Sequence, residues 1–297
     1  MTEQEMDIEA LKEAQQYMGS FAWPTMALGL VASTFYFAMP FLVYYGLVPF
    51  LLAAPLMVVL TYASYTALHE AAHVSISGSH QRWRWINEWV GYLSGLVMGI
   101  PLTAHRFEHL THHRHTNDAE LDPDFALSGL TQSPASAVRS AGRAIFENYR
   151  HYMNKQWAQG REKQNRAFCL EIAASIAIRV AVVLLTDPGA TIALFLIAGI
   201  GGTILLGFLF AYLVHYPYED VGRYVDTATI VAGGRVNTVI TWLWLFQNYH
   251  SIHHLFPRVP FYQYRKVFES IEPIMLARGA PVYRLSASGL QQQHAYS

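Results

Sequence analysis

The sequence predicts an all-α integral membrane protein with four transmembrane helices. Of its 297 residues, 53% are hydrophobic and only 14% are charged, whereas about a quarter of the residues in an ordinary soluble domain are charged. The apolar residues fall in long uncharged runs, and histidines cluster where these runs end. The net charge of −1 gives no indication of a nucleic-acid partner.

The first uncharged run covers residues 21–68. Because a bilayer core takes about 20 apolar residues per helix, this run is long enough for two spans. Pro40, Pro49 and Pro55 lie near the expected turn between the spans. The predicted hairpin returns the chain to its starting side and brings His69 to the membrane surface.

Residues 1–20 precede this hairpin as an acidic, helix-prone arm. The arm has neither the basic n-region nor the apolar h-region of a secretory signal. We expect a short helix that is exposed to solvent or lies on the membrane surface. One side of this helix carries Ile8, Leu11, Ala14 and Gln15.

Two further apolar runs are too short to cross a bilayer. Residues 91–104 are interrupted by Gly99 and Pro101, and residues 236–249 are rich in aromatic side chains. Segments of this length are typical of interfacial or re-entrant structure. The sequence therefore predicts that each of them begins and ends on the same side of the membrane.

The second pair of spans is predicted over residues 168–185 and 190–214, separated by a short turn. The preceding residues 114–167 are polar and basic, as expected of exposed loops and helices. Arg179 lies inside the third span. Either snorkelling to the interface or a buried ion pair could accommodate its charge.

The distribution of positive charge predicts the orientation of the four spans. Of the 20 Lys and Arg residues, 11 lie in 69–167 and 7 in 216–297, while the two outer turns carry none. Because loops rich in Lys and Arg stay on the cytoplasmic side, both termini and the large loop are predicted to be cytoplasmic in this multi-pass protein.

The C-terminal region completes what we expect to be a single domain over residues 1–297. Residues 261–277 have the pattern of an amphipathic surface helix. Residues 285–297 are predicted to form a flexible tail.

Histidines recur at the cytoplasmic ends of these elements, with helical spacing inside each group. The nine that qualify as metal ligands are His69, His73, His109, His112, His113, His215, His250, His253 and His254. One metal ion takes three or four protein ligands, so nine predict two ions in a histidine-rich cytoplasmic cap. Imidazole suits iron, zinc and copper, and the near absence of carboxylates in the groups favours iron. The single cysteine, Cys169, excludes an internal disulfide and a cysteine-based metal cage.

Other polar residues near these groups could support the metal ligands, but the sequence pattern indicates this less clearly. His105 extends the histidine stripe on its helix but precedes the main group. Four acidic residues either orient the ligands or form a solvated loop; they are Asp118, Glu120, Asp122 and Asp124. Asn248 could donate a hydrogen bond near the metals.

Three short motifs carry a resemblance to a known family. HEAAH at 69–73, HLTHH at 109–113 and HSIHH at 250–254 resemble the histidine boxes of the membrane-bound fatty acid desaturase and hydroxylase superfamily. The resemblance implies a non-haem di-iron enzyme that uses O2 and two electrons to oxidise an unactivated C–H bond of a long-chain lipid, by desaturation or hydroxylation. His215 matches the additional ligand of that family.

The same resemblance bears on electron donor and substrate. The third box begins with His250, where front-end desaturases have glutamine. No His-Pro-Gly-Gly segment of a fused cytochrome b5 occurs. Electrons are therefore expected from a separate carrier such as ferredoxin or cytochrome b5. The flanks at 112–125 and 253–264 are similar to bacterial carotenoid ring hydroxylases, so the substrate is either a fatty-acyl chain or a carotenoid.

Two other functions use part of the same pattern. HEAAH at 69–73 is also the H-E-x-x-H motif of zinc proteases, in which Glu70 would act as general base. A non-catalytic membrane metal transporter is the third possibility. The protease interpretation leaves most of the histidines unexplained, and transporters favour ligands inside their spans.

Overall fold

Helices make up most of the residues that the structure, a computed structural model, describes: 1–157, 160–286 and 289–293. The α-helices, in chain order, are α1 Glu3–Gln15, α2 Trp23–Tyr44, α3 Phe50–Ala72, α4 Arg84–Met98, α5 Leu102–His115, α6 Pro134–Lys155, α7 Glu162–Leu185, α8 Pro188–Leu206, α9 Leu213–His215, α10 Gly234–Leu243, α11 His250–Leu255 and α12 Tyr264–Ala277. Three strands follow the same order: β1 Thr229–Ala232, β2 Val282–Ser286 and β3 Gly289–Gln293.

The four predicted spans are confirmed. Among the described residues, four helical segments are long and apolar enough to cross a membrane: α2, α3, α7, and α8 continued to His215. Pro49 precedes the first residue of α3, which it suits because a proline there removes no helical hydrogen bond. Pro40 and Pro55 lie inside α2 and α3 and not in the turn between them.

Helix α3 is the centre of the bundle and packs against α2, α4 and α8. Small residues permit the close approach of α8, because the backbone of Gly202 lies where a Cβ would meet Thr61 at 2.5 Å. Close contact through small residues is the usual way in which helices pack in membranes. The C-terminal end of α3 is thereby fixed relative to the end of the fourth span.

Helices α4 and α5 form a re-entrant pair within the helix bundle, and this arrangement fits the interfacial or re-entrant structure predicted for residues 91–104. Val97, near the end of α4, packs in one cluster with Tyr36 and Leu194, which lie inside two of the spans. Gly99 then takes a left-handed conformation (φ +69°) and reverses the chain. Helix α5 consequently runs back towards the end of the bundle at which α3 terminates.

Arg179 stabilises the buried end of α4. Its Nη2 donates to the carbonyl oxygen of Val97 at 2.9 Å, and its Nη1 donates to the carbonyl oxygen of Ser175 at 3.0 Å. A helix that ends within a bilayer leaves carbonyl groups that water cannot reach. Among the described residues no carboxylate partners Arg179, so its charge is not accommodated by a buried ion pair.

Both ends of the chain differ in part from the prediction. Ala10 and Ala14 are the buried residues of α1, which packs on α12, whereas Ile8 and Leu11 are 60% and 42% exposed. The predicted flexible tail over 285–297 instead contributes to a sheet in which β2 pairs with β1 and with β3. Backbone hydrogen bonds hold β3, whose side chains are mostly exposed, so the sequence shows no apolar alternation there. Residues 294–297 lie outside the described residues.

The contact between α3 and α8 leads to a first prediction. Gly202→Ala is expected to lower the free energy of unfolding by about 1–3 kcal/mol, because the new methyl group overlaps Thr61. Gly199→Ala on the same helix is the matched control, since its added Cβ meets no described atom within 4 Å. Thermal midpoints of the purified variants in detergent measure the difference, and equal midpoints would contradict the packing described above.

Candidate metal centre

The nine predicted ligands come together at the end of the bundle where α3, α5, α9 and α11 meet. Eight of them form two groups, and within each group the ligand nitrogens lie within 4.8 Å of one another. The five-histidine group consists of His69, His73, His109, His113 and His253. The three-histidine group consists of His112, His215 and His254. Neighbouring histidines of one motif are thus divided between two groups.

Helical geometry explains this division. His109 and His113 are separated by one helical turn and share a face of α5, whereas His112 is rotated by about 100° from His113. His253 and His254 diverge in the same way on α11. The motifs at 109–113 and 250–254 therefore each supply both groups, whereas HEAAH at 69–73 supplies only the five-histidine group. The two groups can form only when α5 and α11 face each other.

A π-helical segment precedes the ligand at the end of the fourth span. Gly207–Tyr212 forms wider turns between α8 and α9, and such segments often occur at functional sites because they change the direction of the following side chains. The His215 ring then lies 4.9 Å from the rings of both His112 and His254, centroid to centroid.

His250 lies beside both groups and His105 lies outside them. The His250 ring centroid is 5.1 Å from that of His253 and 4.9 Å from that of His254. By contrast, Nδ1 of His105 is 3.2 Å from Oδ1 of Asn148, on α6. The structure therefore gathers all nine predicted ligands and leaves His105 as a neighbour of His109.

The donor set fits bound metal ions. Nε2 of His113 lies 3.0 Å from Nε2 of His109 and 2.8 Å from Nε2 of His253, and lone pairs that face each other so closely repel unless a cation or proton lies between them. Among the described residues, buried ring nitrogens of His69, His215 and others find no hydrogen-bond partner. Nitrogens that share an ion at about 2.1 Å lie at most about 4.2 Å apart, so small shifts would close either group.

Several ligand rings are oriented by hydrogen bonds at the nitrogen that faces away from the group. Nδ1 of His112 is 2.8 Å from Oδ1 of Asp122, and Nδ1 of His253 is 3.0 Å from the Tyr264 hydroxyl. Nδ1 of His250 is 3.0 Å from Oε1 of Gln247. Such contacts fix the tautomer and direct the other nitrogen towards a metal.

Electrostatics keeps most of the rings neutral. Burial lowers the pKa of His73 to about 3, and burial together with neighbouring imidazoles lowers the pKa values of His109 and His113 well below the usual range. Neutral imidazoles present the lone pairs that metals bind. His112 differs, because nearby carboxylates, above all Asp122, outweigh the opposing effect of burial and raise its pKa to about 9.

The other predicted supporting residues have different positions. Asp118 accepts hydrogen bonds from the backbone of its own loop, and Glu120 is exposed on that loop. Asp124 lies 3.8 Å from His112. Asn248 donates through Nδ2 to the carbonyl oxygen of Ile230 in β1 and not to a candidate ligand. A local sequence pattern gives no information about that strand.

Glu70 of α3, which would be the general base in the zinc-protease interpretation, points away from the histidines. Its Oε2 accepts a hydrogen bond from Thr25 at 2.6 Å, and its Oε1 accepts one from the backbone N–H of Phe261 at 2.5 Å. Because Glu70 is one residue after His69, helical geometry rotates it by about 100° from the metal-facing side. The carboxylate joins α2, α3 and the segment that precedes α12.

A cavity of about 600 Å³, its open mouth included, extends from the histidines into the bundle. Its polar end includes His109, His215, Glu108 and Asp124. Its apolar part is formed by Tyr65, Met98, Ile100, Leu206 and Phe210. A long apolar molecule could thus lie with one carbon beside the candidate metal centre while the rest remains out of water.

Three orienting residues were missed in the sequence. Tyr264 follows His253 by 11 residues, so its contact depends on the turn between α11 and α12. Asn148 is far from His105 in sequence and meets it only because α6 packs on α5. Gln247 could have been found, since it precedes His250 by three residues, one helical turn away.

Comparison with known proteins agrees with this geometry. The family model described as "Fatty acid desaturase" matches residues 46–286, which include all nine clustered histidines. The chain belongs to the fatty acid desaturase family. The match begins after the end of α2, so it includes the other three spans together with α11 and α12.

Curated relatives of this desaturase-family chain are distant. It is 25% identical to the fatty acid conjugase FAC2 B of Calendula officinalis over 70% of this chain and 63% of the relative. It is 26% identical to the sn-1 oleoyl-lipid 12-desaturase of Anabaena variabilis over 69% of this chain and 63% of the relative. The chain thus spans about 63% of the length of the curated relatives it matches.

The contact between Asp122 and His112 generates a second prediction. Asp122→Asn is expected to weaken metal binding by the three-histidine group about 10- to 100-fold, because the amide no longer fixes the His112 tautomer. Glu120→Gln, an exposed change in the same loop, should leave metal content unchanged. Metal retained by each purified variant during titration with a chelator measures the effect, and equal retention would argue against an orienting role for Asp122.

Proposed function

We propose that this protein is an O2-dependent non-haem di-iron oxidoreductase that desaturates or hydroxylates a long-chain lipid. The observation that carries the proposal is the pair of imidazole groups at one end of an apolar cavity. Membership of the fatty acid desaturase family supports a lipid substrate and the use of iron. When bound, the two irons would activate O2 and permit removal of hydrogen from an unactivated C–H bond.

The protein's own residues would perform three tasks in this reaction. The five-histidine group would hold one iron and the three-histidine group the other, with His250 available to either. Asp122, Tyr264 and Gln247 would fix the tautomer and the direction of the ligand rings. Apolar cavity residues such as Phe210 would bind the lipid chain, orient one methylene towards the metals and exclude water.

The electron donor and the orientation in the membrane belong to the same proposal. Residues 69–167 carry 11 of the 20 Lys and Arg residues, and this supports a cytoplasmic location for the metal centre and both termini. A separate carrier such as ferredoxin or cytochrome b5 would supply electrons there. The surface cavity lined by His113, His254, Arg114 and Arg223 gives such a carrier the nearest approach to the imidazoles.

The alternatives receive less support from the geometry. A zinc protease requires the glutamate of its H-E-x-x-H motif beside the metal-bound water, whereas Glu70 binds Thr25 and the backbone of Phe261. A metal transporter requires a path for ions through the membrane, whereas the cavity below the histidines is lined mainly by apolar side chains. The distant relatives named above do not favour either class.

The proposed function predicts about two irons per chain, each dependent on one group. His253→Ala and His112→Ala should each lose iron and abolish turnover, while His80→Ala, on the surface, should change neither. Expression in a bacterial host that makes β-carotene, followed by analysis of fatty acids and pigments, identifies the product. A new double bond, a hydroxylated acyl chain or a hydroxycarotenoid supports the proposal. Zinc in place of iron, with all lipids unchanged, would refute it.

Glu70→Gln tests the structural role of Glu70 against that of a general base. Glutamine keeps one accepting oxygen but replaces the other with an NH2 group that only donates, so the contact with either Thr25 or Phe261 is disrupted. The free energy of unfolding should therefore fall by about 1–3 kcal/mol. Iron content and turnover at a temperature where the variant is folded should remain near those of the unmodified protein. Total loss of turnover in a folded, iron-loaded Glu70→Gln variant would contradict this assignment.

A further inference from the structure

The cavity below the histidines has a second cavity directly beside it. The first, which we call the histidine-side cavity, shares Met98, Ile145 and Thr203 with a neighbour of about 810 Å³, its open mouth included. This neighbour, the arginine-side cavity, is also lined by Arg179 and Phe195. Only these common side chains separate the two cavities, so rotation of the Met98 or Ile145 side chain would join them into one combined space.

The combined space is long enough for an extended lipid chain. His215 lines the histidine-side cavity, while Phe195, on the same membrane span, lines the arginine-side cavity. At about 1.5 Å per helical residue, these two positions are roughly 30 Å apart along the span. Arg179 therefore faces the part of the space that is remote from the candidate metal centre.

The charge of Arg179 is not neutralised by the protein around it. Its hydrogen bonds go to the Val97 and Ser175 carbonyl oxygens and to the hydroxyls of Ser175 and Tyr36, all uncharged. Its guanidinium also lies 5.8 Å from the Phe195 ring centroid. Among the described residues, no Asp or Glu forms an ion pair with it. Capping α4 explains a hydrogen-bond donor at this position, but a neutral donor would cap the helix without burying a charge.

We propose that Arg179 binds an oxygen acceptor, most favourably a carboxylate, at the end of the lipid that is remote from the oxidised carbon. Arg179 offers a fork of N–H donors that suits a carboxylate. The hydroxyl of Tyr36 and that of Tyr149 line the same cavity and give it further polar character. The inference rests on the proposed function, because it assumes that the combined space holds the substrate.

This arrangement selects for lipids by their orientation. A lipid with an apolar tail at the arginine-side cavity would leave the guanidinium buried against hydrocarbon. A free fatty acid with its carboxylate at Arg179, or a carotenoid already oxygenated on its distant ring, would pair with it. In both cases oxidation would take place far from the polar end that Arg179 holds.

Ligand binding tests the inference without requiring turnover. Equilibrium dialysis with the purified full chain in detergent would compare palmitic acid, hexadecanol and hexadecane. Palmitic acid should bind the unmodified protein most tightly, and Arg179→Met should weaken its binding about 10- to 100-fold. Arg179→Lys should retain part of the affinity because it keeps the positive charge. Arg166→Gln, at the exposed start of α7, is the matched control and should bind like the unmodified protein.

The results separate the possible acceptors and the possible failures. If the Arg179 variants bind hexadecanol more weakly as well, the site also accepts neutral oxygen groups. If only palmitic acid binding is weakened, the site is restricted to anions. Equal binding of all three ligands to the unmodified protein and to Arg179→Gln, which keeps donors for the Val97 carbonyl, would reduce Arg179 to a helix cap and overturn the inference. If the protein proved not to be an oxidase, the dependence of ligand binding on Arg179 would still stand.

Discussion

The convergence of buried imidazole nitrogens at one end of the bundle is the constraint on which the rest of the structure depends. Neutral rings with facing lone pairs repel each other, and their nitrogens have been withdrawn from water. A shared cation would satisfy several of them together. The surrounding elements can be understood as the means of holding these rings in place, since α3, α5, α9 and α11 each end or begin at the centre.

A second constraint follows from the membrane. A centre served by both α3 and α5 requires the chain between them to leave and return on the same side, which α4 and α5 achieve as a re-entrant pair. The end of α4 must then be satisfied inside the bilayer, and Arg179 supplies the donors. The resulting gap between α4, α7 and α8 opens the cavity that joins the metal centre to the interior. The grouping of the histidines, the cavity beside them and the position of Arg179 are therefore consequences of one architecture.

The motif His-Glu-x-x-His illustrates how context decides chemistry. The same five residues place two imidazoles on the metal side of α3 and the carboxylate on the opposite side, against Thr25 and Phe261. In this protein the glutamate connects helices, and the partners of the two histidines come from α5 and α11. A motif therefore specifies which side chains share a face, while the neighbouring helices decide what that face does.

Local regularities in the sequence determined the four spans, the re-entrant pair and the identity of the nine clustered histidines, because hydrophobic length and helical spacing act within a single element. Distances along the chain carried no information about the contacts between elements. Only the tertiary structure decided that two of the three motifs supply both groups, that Tyr264 and Asp122 orient candidate ligands, and that Asn248 donates to β1. It likewise decided the sheet at the C-terminal end and the cap formed by Arg179, because those interactions exist only after distant segments have packed together.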